Sequence, residues 1–527
     1  MNKTFLKIFK TFCWLALAGP TVAAANVLNN PGFESDALTQ NQNLLGWTTF
    51  GANNYNETGA GAHSGTNYYK MYQAFTSQQN YTGIYQDYIS GPGVTYTADG
   101  WADILSSDTL AGQNVAWIEV TFRDARANIL ALYRSALINT NTLHAGTIPQ
   151  STWIDLPVTN QYNPNTFVVT NTVTTLVAPP GTYFVRYQVL LQGDAVNSGG
   201  SVYFDDLNLN LTSSSAYGSN WNITWSDEFN GTTLNPATWS YNIGNNNGWG
   251  NSEMEYYTSR TNNVSVSGGY LNIVAQKESY NGYNFTSARI LTQGLAAWKY
   301  GRFEWRVRLP AGTGFWPALW FLGTSITNTS WPSCGEIDSV ENIGSTATNV
   351  QGSLHSGSNE TLIYSMLPGD SVTNFHTYAL DWTSNAFLWY VDGHLYESQY
   401  TWSTTNGAAY PAPFNQPFFM ILNLAVGGQF VGYPTTTAID NNGGFPGVMQ
   451  MDYVRVYNVT PRLNLSVTGA GTNVLLSWTS NVVAHLQAQF DTNNLGLGTD
   501  WTDMPQSTSN PTTLSPASSA YFRLLSP

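Results

Sequence analysis

The chain has 527 residues, enough for three or four domains at roughly 150 residues each. Only 9% of it is charged, against about 25% in an average soluble protein, while aromatic residues reach 14%, with 19 Trp and 31 Tyr. That balance excludes disorder for most of the chain. A net charge of −14 with no Lys/Arg cluster excludes a nucleic-acid partner.

In chain order, residues 1–25 read as a secretory signal peptide. Lys3, Lys7 and Lys10 form its basic start, Phe12–Ala18 its short apolar core, and Ala23-Ala24-Ala25 its cleavage site. This implies a secreted protein. The run is too short for a membrane span, and none appears later. Cys13 leaves with the signal, so Cys334 remains as a packed thiol and no intrachain disulfide is possible. Residues 26–212 form a first region, 213–220 a small polar linker, 221–458 a second region and 461–527 a short third.

Apolar and aromatic residues alternate at period two in Phe303-Glu-Trp-Arg-Val-Arg-Leu and Phe387-Leu-Trp-Tyr-Val. The segment Val391-Asp-Gly-His-Leu predicts a hairpin with Asp392-Gly393 at its turn. Long helical patterns are absent. The expected fold class is all-β, built from sandwiches or jelly rolls.

The segment Trp331-Pro-Ser-Cys-Gly-Glu-Ile-Asp-Ser-Val-Glu places Glu336, Asp338 and Glu341 within six residues of a chain that is poor in charge. Ile337, Val340 and Ile343 mark a partly buried strand. Alternation puts Glu336 and Asp338 on one face, but the next position on that face is Val340. Glu341 joins them only if the strand takes up one extra residue, as a β-bulge allows. Two glutamates leaning toward a common point suit retaining glycoside hydrolysis, in which one acid attacks and the other transfers the proton. Chemistry alone allows either assignment.

These residues, with Trp316-Pro-Ala-Leu-Trp320, Trp225-Ser-Asp-Glu-Phe, Trp249-Gly-Asn-Ser-Glu-Met-Glu-Tyr-Tyr-Thr, Asn423-Leu-Ala-Val-Gly-Gly and Met451-Asp-Tyr-Val-Arg-Val-Tyr, resemble glycoside hydrolase family 16, in particular its laminarinase-like endo-β-1,3-glucanases. The resemblance covers residues 221–458. It implies a curved jelly roll, with Glu336 as nucleophile, Glu341 as acid/base and Asp338 tuning both. It also implies that Trp316, Trp320, His355, Asn251, Glu253 and Arg289 bind substrate; the alternatives are core packing for Trp316 and Trp320 and a satisfied strand histidine for His355. Glu255 stands where many members have Gln, which implies an altered outer subsite. No cofactor is needed for the chemistry. Glu228, the Gly268-Gly269 turn and Asp452 match positions that hold a structural calcium in the family.

The implied partner is a neutral β-glucan, with no nucleic acid and no membrane span, and a monomer is expected. Alternatives are mixed-linkage glucan or a marine galactan as substrate, or a non-catalytic glucan-recognition protein. The intact glutamates argue against the last.

In the first region, Asn29-Asn-Pro-Gly-Phe-Glu34, Ala62-His-Ser-Gly-Thr-Asn-Tyr and Val202-Tyr-Phe-Asp-Asp-Leu resemble carbohydrate-binding modules of the family 4/9/22 type. Trp47, Tyr55, Tyr81, Tyr85 and Trp101 are its candidate groove residues. The third region, 461–527, is expected to be a small immunoglobulin-like β-sandwich.

Overall fold

The computed structural model describes residues 25–459 except 36–43, 60, 140–151, 214, 218–220, 358 and 443, and beyond 459 the backbone of six strands. All but the last residue of the proposed signal peptide and most of the third region therefore lie outside the described residues. Strands dominate, and the one α-helix among the described residues is the single short Thr436–Asn442. No helix is long and apolar enough to cross a membrane. The chain divides into two compact units, residues 1–218 and 219–527.

In the first unit two antiparallel sheets enclose a core that includes Phe33, Trp47, Tyr69, Ile118, Tyr187 and Phe204. One sheet has Asn80–Ile89, Phe184–Gly193 and Val115–Arg123 at its centre, and the other is built around Thr95–Asp103 and Val202–Leu211. Residues alternate between core and outer face along each strand, as in Tyr69 and Met71 of Asn67–Met71.

The groove expectation needs correction here. Trp47 is a core residue, its indole N–H donating to the Asn30 carbonyl at 3.1 Å. Trp101 stacks on His63 at 3.9 Å on the second sheet, Tyr55 stacks on Tyr72, and Tyr85 lies beneath the Arg186 guanidinium. Tyr81 is exposed.

In the second unit, one sheet runs through Val264–Ser267, Tyr270–Tyr280, Gly447–Val459, Gly301–Arg308, His376–Trp382, Phe387–Val391 and His394–Gln399. The Phe387–Val391 hairpin turns at Asp392 and Gly393, both with positive φ (49° and 86°), which the primed two-residue turn requires.

The facing sheet has seven strands: β1 (Ser240–Asn242), β2 (Arg289–Leu291), β3 (Phe315–Gly323), β4 (Glu336–Glu341), β5 (Asn349–His355), β6 (Asn359–Ser365) and β7 (Phe418–Val426). They are ordered β1-β2-β7-β3-β4-β5-β6. Between the sheets lies a core in which Trp305, Trp382 and Trp389 are fully buried. Each such side chain contributes roughly 1.5–3 kcal/mol or more to stability.

Past residue 459, the six strands pair as two three-stranded antiparallel sheets.

Candidate active site

Alternation along β3 and β4 builds the site. In β3, Phe315, Leu319 and Phe321 point into the core, while Trp316, Ala318, Trp320 and Leu322 face a cleft of about 330 Å³. In β4, Ile337 and Val340 are core residues and Glu336, Asp338 and Glu341 face that cleft.

The phase break between Asp338 and Glu341 is a β-bulge. On the β3 side Trp320 pairs with Asp338 and Leu319 with Val340, which leaves Ser339 over. On the β5 side three steps of β4 match two of its neighbour, from Ser353 to Gln351. The Trp389 indole N–H donates to the Asp338 carbonyl beside the bulge at 2.9 Å. Gly352 of β5 lets that indole in, because a Cβ there would stand 2.5 Å from the ring.

Each acid has its own partner. The Trp331 indole N–H donates to Glu336 Oε2 at 3.0 Å, and the Trp316 indole N–H to Glu341 Oε1 at 3.0 Å. His355 Nε2 lies 2.9 Å from Asp338 Oδ2. Burial and the Asp338 charge push the Glu336 carboxyl up, against the opposing pull of His355, Arg289 and the Trp331 N–H. Burial and two neighbouring acids, Asp338 and Glu336, push Glu341 well above the usual carboxylate range. The cluster therefore keeps a proton at neutral pH, and Glu341 is the acid best placed to hold it. Burial pushes the Cys334 thiol, two residues before Glu336, up to about 11, as suits an inert packed group.

Eight of the nine residues expected to be catalytic or substrate-binding line the cleft: Glu336, Asp338, Glu341, Trp316, Trp320, Asn251, Glu253 and Arg289. His355 reaches the site through Asp338. Trp316 is mostly buried, with Phe430 stacked on its ring at 4.8 Å. Trp320 donates its N–H to Asn423 Oδ1 at 2.7 Å and lies under Arg289. Glu255, expected to alter an outer subsite, is fully buried and does not itself line the cleft.

Seven lining residues escaped the sequence reading, three of them with aromatic or polar side chains: Trp331, Asn423 and Trp249. Trp331 is exposed at the mouth, and Asn423 comes from β7. Trp249 sits in a turn with φ 51° and ψ 26°, a conformation costly for a bulky side chain and found where geometry is imposed. All three lie inside segments already singled out, but a motif does not tell which of its side chains faces inward.

The three positions of the expected calcium site meet by strand register. Gly447–Val459 pairs along one edge first with Tyr270–Tyr280 and then with Trp221–Asp227, so Asp452, the Gly268-Gly269 turn and Glu228 fall at the junction. Both oxygens of Glu228 take the Arg455 guanidinium, at 2.9 and 2.8 Å, and Asp452 Oδ2 takes Arg306 at 2.7 Å.

A jelly roll that holds three desolvated acids among tryptophans in an open cleft has the character of a glycoside hydrolase. The chain belongs to the glycosyl hydrolases family 16, whose family model matches residues 251–454. It is 42% identical over 248 residues to the beta-glucanase of Rhodothermus marinus, a match covering 45% of this chain and 85% of that protein. It is 40% identical over 260 residues to glucan endo-1,3-beta-glucosidase A1 of Niallia circulans, covering 45% of this chain and 38% of the relative. The solved laminarinase catalytic domain of Thermotoga maritima is 38% identical, with a TM-score of 0.41, over 46% of this chain and 99% of that domain.

Proposed function

We propose that this enzyme is a secreted, retaining endo-glycosidase that hydrolyses β-1,3-glucan of the laminarin type. The observation that carries the mechanism is the unequal surroundings of Glu336 and Glu341. Both accept an indole N–H, feel His355 and lie beside Asp338, but Arg289 favours the charge of Glu336 alone, whereas Glu341 faces a second acid, Glu336, and is raised well above the usual carboxylate range. Glu336 is therefore the carboxylate that attacks, through Oε1, since Oε2 is held by Trp331. Its oxygen bonds to the anomeric carbon as the glycosidic bond breaks, and the Glu341 proton goes to the leaving oxygen. Glu341 then takes a proton from water, whose oxygen displaces Glu336 and restores the original anomeric configuration. The kinship with the Rhodothermus and Niallia enzymes supports a β-glucan substrate, and the net charge of −14 disfavours a sulfated galactan.

Product analysis on laminarin, lichenan, agarose and carrageenan tests the specificity. Mixed oligosaccharides from laminarin early in the reaction are expected, and galactan cleavage without laminarin cleavage refutes the reading. For the mechanism, Glu341→Ala with azide on an activated aryl glycoside is expected to give a β-glycosyl azide. An α-azide from that variant reverses the two roles, and an inverted wild-type product removes double displacement altogether.

The same proposal includes a structural calcium at the Glu228, Gly269 and Asp452 junction. Calcium requires six to eight oxygens. Both carboxylates are paired with arginine, Glu228 with Arg455 and Asp452 with Arg306, so the backbone carbonyls of the double-glycine turn would supply the first oxygens and an ion would have to draw Asp452 away from Arg306. A chelator is expected to lower Tm without altering kcat, and an unchanged Tm removes calcium from the account.

A further inference from the structure

Glu255 is the first residue of the strand Glu255–Tyr257. Glu253 precedes it by two positions and Tyr257 follows it by two, the spacing that brings side chains to one side of an extended chain. Glu253 lines the end of the cleft formed with Trp249 and Asn251, and Glu255 lies fully buried behind it. Glu255 Oε2 accepts the Val426 backbone N–H at 2.7 Å. Its Oε1 is buried and takes no hydrogen bond from any described group. The Glu253 carboxylate is within hydrogen-bonding reach of Glu255, and Glu253 Oε2 accepts the Tyr257 hydroxyl at 2.8 Å. Arg289 is the cation that acts on Tyr257, and among the described residues none acts on Glu255. The parallel neighbour Tyr283–Ser287 and the Val426 end of β7 bring no charged side chain.

Two touching carboxyl groups away from water cannot both ionise. A buried carboxylate oxygen with no donor is costly, whereas a hydroxyl at the same place finds an acceptor in Glu253. Burial and the charge of Glu253 hold the Glu255 carboxyl well above the usual carboxylate range, so the proton of the pair rests there.

We propose that Glu255 is a positioning residue that works as a neutral acid: its Oε1–H donates to Glu253 and, with Tyr257, fixes that carboxylate to accept a sugar hydroxyl at this end of the cleft. The arrangement continues to the aromatic platform, because Asn423 Nδ2 donates to the Tyr257 oxygen at 3.2 Å and Asn423 Oδ1 accepts the Trp320 N–H. Loss of the Glu255 proton at alkaline pH sets two anions against each other and releases Glu253. The sugar contact rests on the glucanase reading above, whereas the protonation does not.

Two measurements on the full chain keep these apart. Infrared difference spectra at neutral pH, wild type against Glu255→Gln, are expected to show a protonated-carboxyl band present only in the wild type. Loss of a carboxylate band instead overturns the proposal, whatever the substrate. KM and kcat on laminarin are then followed from neutral to alkaline pH. The Gln side chain can donate to Glu253 and accept from Val426 but cannot ionise, so Glu255→Gln is expected to keep the neutral KM within about twofold and hold it flat where the wild-type KM rises. Glu255→Leu is expected to raise KM about tenfold at all pH values with kcat little changed. Equal behaviour of the Gln and Leu variants, or a wild-type KM as flat as that of Glu255→Gln, refutes the positioning role. Failure of laminarin as a substrate refutes the glucanase reading alone and leaves the infrared result to decide Glu255.

Discussion

Glu341 illustrates how a catalytic residue works against the fold that holds it. In the unfolded chain it ionises in the ordinary carboxylate range, but in the folded protein only well above it. Between those limits the folded state binds a proton that the unfolded state has released. Stability therefore falls as pH rises across the window and levels off beyond the folded value. Glu341→Gln keeps the shape and the Trp316 hydrogen bond without that loss. Calorimetry should find the variant and wild type melting together at acid pH, with the variant ahead at neutral pH by roughly 2–4 °C for each kcal/mol relieved. A difference that does not grow with pH contradicts this. Natural glycans should not be cleaved by the variant.

The bulge in β4 was legible at the level of the element because the sequence contains a contradiction. Three acids that must share a face are interrupted by Val340 at the phase where an acid belongs. What supports the bulge was not legible. Trp389 is 51 positions from Asp338, and nothing local marks its N–H for that carbonyl. The same limit explains Trp47, since period-two alternation tells which residues share a face but not which face is the core. The motif marks Glu255 as a residue that alters an outer subsite, but only the structure shows that it is buried and acts from beside the cleft rather than in it. Gly352 gives the element a sharp test. Gly352→Val drives a branched side chain into the Trp389 ring, and overpacking of this kind costs about 1–3 kcal/mol. The expected result in urea is a lower midpoint, with a larger fractional loss of kcat than of KM as the bulge shifts Glu341. Wild-type stability and rate would mean that the glycine is incidental.

Each of the two compact units has a hydrophobic core of its own, which is the condition for folding separately. A chain without residues 26–212 should therefore retain laminarin hydrolysis near the wild-type rate. The exposed Tyr81 and the glycan-module resemblance point to a second role for the removed part. Wild type should sediment with insoluble β-1,3-glucan, and the shortened chain should lose most of that retention. Equal retention of both would leave the first unit as a spacer.

Cys334 is fully buried on the approach to Glu336, and from residue 26 onward it is the chain's sole sulfhydryl. The protein thus carries a single-site clock. An aromatic disulfide reagent can label it only when the segment before β4 opens, so the labelling rate reads the opening of the catalytic strand directly. Oligosaccharide in the cleft should slow that rate in proportion to occupancy. With residues 1–25 removed, the unfolded chain has no second thiol with which to form a wrong intrachain pairing, so the refolding yield of residues 26–527 should be the same in reducing and oxidising buffer when the protein is dilute.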